Sequence, residues 1–227
     1  GSGDIMITRT NGADDDFVHD GDLTAGGTTG SISITANDDV TLASANALTA
    51  GAAGNVTVTA DADGDANGTG GAFTQGGRSL VAANGNVTVS ADETVTLDAA
   101  VTATTGAVDI DSTSGSIAQN AAVSAGGNID LDAAVDVSHG AALTAGTGGT
   151  GTLTINADND VTLASANALS VGATAGDIVI TADADSNNDG LFTQGGRSLA
   201  ASGDVTISAA EDITQDADID AGGSLSI

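Results

Sequence analysis

The sequence contains no cysteine, proline, tryptophan, tyrosine or lysine, and only two glutamates. Without cysteine there are no disulfides, and three phenylalanines cannot build a large aromatic core. The small share of large hydrophobic residues is otherwise typical of disordered chains. The absence of proline and lysine argues against disorder, as does the regular spacing of the branched residues. A fold must therefore be built from small and branched aliphatic side chains.

Positive charge is almost absent as well. The 227 residues hold three arginines against 31 acidic residues, giving a formal net charge of −28. Such a surface repels nucleic acid and anionic membranes and attracts cations, so we expect divalent cations as partners and no nucleic acid. No apolar run approaches the roughly 18 residues of a membrane span, so we expect no direct membrane insertion. Because aspartate favours turns and glutamate favours helices, the excess of aspartate predicts many turns and little helix.

Two long segments occur twice. VTLASANAL at Val40–Leu48 returns at Val161–Leu169, and FTQGGRSL at Phe73–Leu80 returns letter for letter at Phe192–Leu199. The offsets, 121 and 119 residues, define two tandem units of about 120 residues. We therefore expect residues 1–227 to form one repetitive domain, a segment of a longer array.

A shorter period lies inside each unit. Short alternating stretches follow a glycine or a turn at intervals of 20 to 31 residues. The first branched residues of these stretches are Ile5, Ile32, Val56, Val87, Val108, Ile129, Leu153, Ile178, Val205 and Leu225. The pattern predicts about ten rungs, five in each unit, built on a basic coil of about 20 residues.

The coil at 86–106, NVTVSADETVTLDAAVTATTG, shows what one rung contains. It holds three alternating pieces, beginning at Val87, Val95 and Val101, in which branched residues alternate with threonine or other small residues. Period-two alternation is typical of half-buried strands. Three strands in each coil predict an all-β fold, a three-sided parallel β-solenoid. Regularly spaced strands would also suit a β-sandwich, but near-identical consecutive units favour the solenoid.

Three segments, at 23–36, 114–133 and 202–227, resemble repeats of filamentous-haemagglutinin-type adhesins. Those adhesins are large bacterial exoproteins, many of them exported by two-partner secretion. The resemblance implies a right-handed parallel β-helix. It also implies an extracellular or cell-surface location.

An acidic insertion precedes each copy of the octapeptide FTQGGRSL. Oxygen-bearing residues alternate there as in the first part of a calcium loop. The candidate ligands are Asp61, Asp63, Asp65 and Asn67 in the first insertion and Asp183, Asp185, Asn187 and Asp189 in the second. Because the downstream glutamate of an EF-hand is missing, a solvated acidic loop remains the alternative to a calcium site. The acidic run at 13–22 lacks this spacing and is predicted to be a solvated loop.

The octapeptide itself is predicted to be a structural corner. Phe73 and Phe192 would enter the core, while Gln75 and Gln194 would bond backbone groups at the corner. The positive charges of Arg78 and Arg197 would pair with the carboxylates of the neighbouring acidic loop. A catalytic arginine is usually needed once, so the duplication argues against an active site.

Together these features predict a structural or adhesive shaft segment of an extracellular bacterial fibre. Its partners would be further copies stacked end to end, or continuation of the same chain. An enzyme acting on polysaccharides is an alternative that needs a positioned acid, base or cation. No such residue is singled out, so we predict no catalytic site.

A flat binding face is the other alternative, for ice or for calcium-dependent carbohydrate binding. Thr57 and Thr59 would belong to an outward row of hydroxyl groups on one face of the solenoid. Aspartate pairs such as Asp109 and Asp111 are expected to interrupt that row. Threonine is also common in strands for its β-propensity alone.

Overall fold

A computed structural model describes residues 3–10, 15–43, 47–63, 70–164, 168–172 and 174–227. These residues form strands β1 to β28, numbered in chain order, and no α-helix occurs among them. Within these ranges no helix is long and apolar enough to span a membrane. The strands assemble into three parallel sheets, called sheet 1, sheet 2 and sheet 3.

Each sheet takes every third strand. Sheet 1 contains β1 Ile5–Arg9, β4 Ile32–Ala36, β7 Val56–Thr59, β10 Val87–Ala91, β13 Val108–Ser112, β16 Ile129–Ala133, β19 Leu153–Ala157, β22 Ile178–Ala182, β25 Val205–Ser208 and β28 Leu225–Ser226. Sheet 2 contains β2 Phe17–His19, β5 Val40–Leu42, β8 Phe73–Gln75, β11 Val95–Leu97, β14 Ile117–Gln119, β17 Val137–His139, β20 Val161–Leu163, β23 Phe192–Gln194 and β26 Ile213–Gln215. Sheet 3 contains β3 Leu23–Thr24, β6 Leu48–Thr49, β9 Leu80–Ala82, β12 Val101–Ala103, β15 Val123–Ala125, β18 Leu143–Ala145, β21 Leu169–Val171, β24 Leu199–Ala201 and β27 Ile219–Ala221.

One turn of the chain supplies one strand to each sheet, and the next turn stacks on it in parallel. The ten strands of sheet 1 and nine of each other sheet make nine complete turns and the first strand of a tenth. Equivalent residues lie opposite each other, for example Val87 with Val108 and Val95 with Ile117. The predicted three-sided parallel β-solenoid, with about ten rungs, is confirmed.

The alternation of the sequence determines which side chains enter the core. In β13, Val108 and Ile110 are buried while Asp109 and Asp111 face outward. The last inward position of the strands in sheets 1 and 3 is usually alanine, as at Ala91 in β10. Small side chains at these positions suit a narrow triangular interior, which must be filled without voids. This explains how a chain with few large hydrophobic residues still packs a continuous core.

Glycines form a column at the corner that leads from sheet 3 into sheet 1. A Cβ atom at Gly54, Gly85 or Gly106 would overlap the carbonyl oxygen of the glycine one turn earlier. The backbones of successive turns therefore approach each other here more closely than any side chain permits. Glycine is therefore required at these three positions before sheet 1 strands.

Asparagine and aspartate form a second ladder at the same corner. Asn55 Oδ1 accepts the backbone N–H of Asn86 at 2.8 Å, and Asn86 Oδ1 accepts that of Ala107 at 2.9 Å. Asp177 and Asp204 do the same, with Asp204 Oδ1 accepting the N–H of Ser224 at 2.7 Å. These side chains satisfy N–H groups that the curved backbone leaves outside the sheets. Part of the aspartate excess is thus structural.

Candidate functional site

The two acidic insertions occupy the same corner, between sheet 1 and sheet 2. The first joins β7 to β8 and the second joins β22 to β23. Both are fastened to the preceding turn in the same way. Ala72 N–H donates to Asp39 Oδ1 at 3.0 Å, and Leu191 N–H donates to Asp160 Oδ1 at 2.9 Å. The repeated sequence therefore builds the same stem twice, five turns apart.

The second insertion brings three of its predicted ligands together. Carboxylate oxygens of Asp183, Asp185 and Asp189 lie within 4.8 Å of one another. Asn187 belongs to the same loop and donates its backbone N–H to Asp185 Oδ1 at 3.2 Å. Clustered hard oxygens of this kind match the ligand preference of Ca²⁺.

The backbone of this loop is unusual, because three non-glycine residues adopt left-handed conformations. They are Asp183 with φ 71°, Ser186 with φ 62° and Asn188 with φ 75°. The Asn188 N–H donates to Asp183 Oδ1 at 2.9 Å, which orients that carboxylate. A Cβ atom at Gly190 would overlap the backbone of Asp183. Glycine is therefore required where the loop closes.

The first insertion is described only at its two ends. Asp61 adopts the left-handed conformation of Asp183, with φ 58°, and Asp63 follows it. At the other end, a Cβ atom at Gly71 would lie 2.7 Å from the Asp61 Cβ. The predicted ligands Asp65 and Asn67 lie outside the described residues.

A third acidic group was not anticipated from the sequence. Asp16, Asp38 and Asp39 bring carboxylate oxygens within 4.8 Å of one another. Asp38 is 9 % exposed, and its Oδ1 accepts the Gly71 N–H at 3.1 Å. Asp16 precedes β2 and Asp39 precedes β5, so both lie at the same corner in adjacent turns. Aligning residues by their distance from the next strand would have revealed this proximity.

Four further carboxylates form a square on the outer face of sheet 1. Asp109 lies opposite Asp130, and Asp111 lies opposite Asp132, on the neighbouring strands β13 and β16. Thr88 precedes Asp109 in this row and Thr154 follows Asp130. The aspartates thus interrupt the row of hydroxyl-bearing residues on this face.

The electrostatics of the square are repulsive. Burial, together with the charges of Asp109, Asp132 and Asp130, raises the pKa of Asp111 to about 6. Burial, with Asp132 and Asp109, likewise raises the pKa of Asp130 to about 6. The Asp130 Oδ1 atom is buried without a hydrogen-bond partner. Asp132 differs, because Asn156 Nδ2 donates to its Oδ1 at 2.6 Å.

An open groove of about 460 Å³ runs along the corner beside this square. Its polar lining comes from several successive turns and includes Ser90, Asp111, Thr113, Asp132, Asn156 and Asp158. Burial raises the pKa of Asp158, and Asp185, Asp132 and Asp183 add to that effect. The carboxylates of the second insertion therefore act electrostatically on the carboxylates that line the groove.

Both copies of the octapeptide occupy the corner between sheet 2 and sheet 3. Phe73 and Phe192 are fully buried in the core. Gln75 and Gln194 are also fully buried, and each donates from Nε2 to a carbonyl of its own corner, that of Arg78 or Arg197. The glutamines therefore hold the corner closed.

The two arginines of the octapeptide are fully buried. Burial lowers the pKa of Arg78, while the charges of Asp22 and Asp20 raise it. Those aspartates lie between β2 and β3, two turns earlier at the same corner, and not in the neighbouring acidic insertion. In the second unit, burial lowers the pKa of Arg197 to about 10. The interior position of these arginines could not be read from the alternation.

The haemagglutinin-repeat family model matches residues 148–197 and again residues 179–227. These matches and the β-solenoid fold support a filamentous-haemagglutinin-type repeat protein. No curated protein and no solved structure matched the chain. The matched ranges include the second insertion and the second octapeptide corner. In the solenoid, both copies of the duplicated segments lie at equivalent corners of the repeating architecture.

Proposed function

We propose that the protein is a structural and adhesive shaft segment of an extracellular bacterial surface fibre. The observation behind the proposal is the continuity of the three sheets, which pair in register from β1 to β28 without a break among the described strands. Ten rungs at the usual strand spacing extend about 45 Å. Such a ladder resists bending because every strand between the end strands of a sheet is hydrogen-bonded to the turns on both sides. The haemagglutinin-repeat match fits an adhesin-like role.

Surface charge supports a soluble and extended assembly. Two of the three arginines are buried, so the exposed charges of the described part are almost all negative. Like charge along the sides discourages lateral aggregation, whereas stacking along the axis joins apolar cores. We infer that the shaft is extended along its axis, by further turns of the same chain or by other copies.

The positions of the titratable groups in the described part of the chain support a non-enzymatic role. His139, Arg78 and Arg197 are enclosed in the core, and several aspartates, such as Asp177 and Asp204, accept backbone N–H groups in the corner ladder. Surface aspartates that accept hydrogen bonds from backbone N–H groups stabilise the fold. We therefore infer that the segment presents and spaces adhesive regions without acting on them chemically.

Electron microscopy of the native assembly tests the fibre. We expect filaments with an axial repeat near five rungs, about 24 Å at the strand spacing. The matched control is the same preparation after a glycine of the corner column, Gly85, is replaced by arginine, because the bulky side chain blocks stacking of turns. Isolated compact particles in the native preparation would contradict the proposal.

We also propose that the second insertion holds a calcium ion. The observation that favours it is the approach of Asp183, Asp185 and Asp189 within 4.8 Å. Three like charges at that separation repel one another, and a divalent cation would relieve the repulsion. Asp61 and Asp63 would serve the first insertion in the same way. Calcium would stiffen both loops, of which the second contributes Ala184 to the groove.

Thermal unfolding with and without Ca²⁺ tests the site. A dissociation constant on the order of 10⁻⁴ M would add about 2 kcal/mol of stability at several millimolar Ca²⁺, compared with a chelator. The double variant Asp185→Asn with Asp189→Asn should lose most of this gain. The control Asp216→Asn with Asp218→Asn removes the same charge from exposed positions elsewhere and should keep it. Equal melting with Ca²⁺ and chelator rules out the site and leaves the fibre proposal untouched.

A further inference from the structure

His139 is the last residue of β17, and its side chain is fully buried. In sheet 2 it lies between Gln119 of β14 and Leu163 of β20. The His139 Nδ1 atom is 2.7 Å from Gln119 Oε1. The imidazole therefore joins two successive turns inside the core.

The surrounding bonds determine the protonation of the ring. Gln119 Nε2 donates to the carbonyls of Ala121 and Ala142, the second at 3.4 Å, so its Oε1 is the atom turned toward His139. An amide oxygen only accepts hydrogen bonds, so Nδ1 must carry the proton. In the neutral ring Nε2 is then an acceptor. That atom is buried and has no hydrogen-bond partner.

Among the described residues, the charge that acts on the ring is positive. The elements packed against β17 are β14, β16, β19 and β20, and their inward-facing side chains are uncharged. Asp130 and Asp132 of β16 face outward. The following corner, 140–142, has no titratable residue. The charged group that acts on His139 is Arg197, from the octapeptide corner two turns later.

We propose that His139 makes the middle of the solenoid acid-sensitive, so that the turns around it open when the surroundings acidify. Protonation would place a second cation beside Arg197 in the core. It would also turn Nε2 into a donor with no acceptor. Burial and the charge of Arg197 accordingly lower the pKa of His139 to about 3, from 6.5. When the turns are open, His139 is protonated below about pH 6.5. In the closed core it stays neutral down to about pH 3, so acid favours the open state.

The first unit supplies an internal comparison. His19 occupies the corresponding place at the end of β2, but it is only partly buried. Asp20 and Asp22 follow it, where Gly140 and Ala142 follow His139. The enclosed ring without a nearby carboxylate is found in the second unit, so the acid response is assigned to His139.

Native-state hydrogen exchange measures the response directly. After correction for the intrinsic exchange rate, the opening equilibrium of amides in β14, β17 and β20 at pH 5.0, relative to that at pH 7.5, should be about 30-fold higher in the unaltered protein than in His139→Leu when opening exposes the ring, as the change in the His139 pKa requires. The comparison with the variant is needed because protonation of Asp111 and Asp130 acts in the opposite direction over this range. Nitrogen-15 spectra of the two histidines should show His139 as the Nδ1–H tautomer and unchanged from pH 8 to pH 5.

Two variants separate His139 from other effects of pH. His139→Leu should abolish its share of the pH response, because leucine already fills this column at Leu97 and Leu163. His19→Leu should leave that share intact. If His139→Leu fails to fold, the spectra of the unaltered protein still decide the matter. A His139 ring that titrates between pH 8 and pH 5, or an equal pH response in a folded His139→Leu, would overturn the proposal.

Discussion

Asp109 of β13 lies directly opposite Asp130 of β16, so two carboxylates face each other across neighbouring strands of sheet 1. Like charges directly opposite in a sheet destabilise it. Burial and neighbouring carboxylates of the square together raise the pKa of both groups, that of Asp130 to about 6. The folded state therefore holds a proton more tightly here than the unfolded chain does.

Asp130→Asn should stabilise the protein at neutral pH. Burial and neighbouring charges raise the pKa of Asp130 in the folded state from 3.8 to about 6. The stabilisation of the folded state by protonated Asp130 is therefore complete below pH 3.8 and is lost as the pH rises through 6. After discounting for solvent screening, the gain at pH 7.5 should be about 1 kcal/mol, and it should vanish at pH 3.5. Chemical denaturation at the two pH values measures it.

The control for that substitution is Asp220→Asn, which lies opposite Ala200 on sheet 3 and faces no carboxylate there. It should change stability little at either pH. His139 acts in the opposite direction, since its lowered pKa makes the fold less stable as the pH falls from 6.5 toward 3. An unchanged neutral-pH stability for Asp130→Asn would contradict the repulsion in the square.

Gly85→Ala should disrupt the stacking of turns. The added Cβ would overlap the carbonyl oxygen of Gly54, and neither backbone can move without breaking the ladder. We expect a loss of about 3 kcal/mol, at the upper end of overpacking effects. Gly26→Ala is the matched control, because a Cβ there meets nothing within 4 Å. Equal thermal midpoints for the two variants would show that the close approach is not required.

Gln194→Leu should weaken the octapeptide corner. Leucine fits this column, as at Leu163, but it leaves the Arg197 carbonyl without its side-chain donor. The expected cost is about 1–2 kcal/mol. Gln215→Leu removes a similar bond, to the Ala217 carbonyl at 3.2 Å, at an exposed position and should cost less than about 0.5 kcal/mol. Denaturant titrations compare them, and a larger loss for Gln215→Leu would refute the explanation.

Arg78→Gln should lower the melting temperature, because it removes a fully buried side chain and its attraction to Asp22 and Asp20. We expect about 2–4 kcal/mol. Arg9→Gln is the control, since Arg9 is 58 % exposed and its ion pair with Asp15 spans 3.7 Å. Exposed pairs contribute about 0–1 kcal/mol, so calorimetry should separate the variants clearly. Similar melting temperatures would mean that the buried arginine contributes no more than the surface one.

Much of the candidate site followed from the sequence because it is repeated. The insertion before each octapeptide predicted Asp183, Asp185 and Asp189 as neighbours, and the structure places them together. The acidic run at 13–22 carried no ligand spacing, yet Asp16 lies beside Asp38 and Asp39. That contact joins different turns, and its residues are more than 20 positions apart in the chain. Spacing along the chain cannot report such proximity unless the register of the turns is known.

The sequence by itself determined the strands, their three-sided arrangement and their parallel stacking. Each of these follows from a local pattern, the alternation of branched and polar residues and the glycine before each sheet 1 strand, repeated turn after turn. Only the tertiary structure decided which charges meet. The burial of Arg78 and Arg197, the square around Asp109 and Asp130, and the influence of Arg197 on His139 depend on register between turns. In a solenoid the axial neighbours of a residue come from other turns. The number of residues between such neighbours changes with every insertion in the chain.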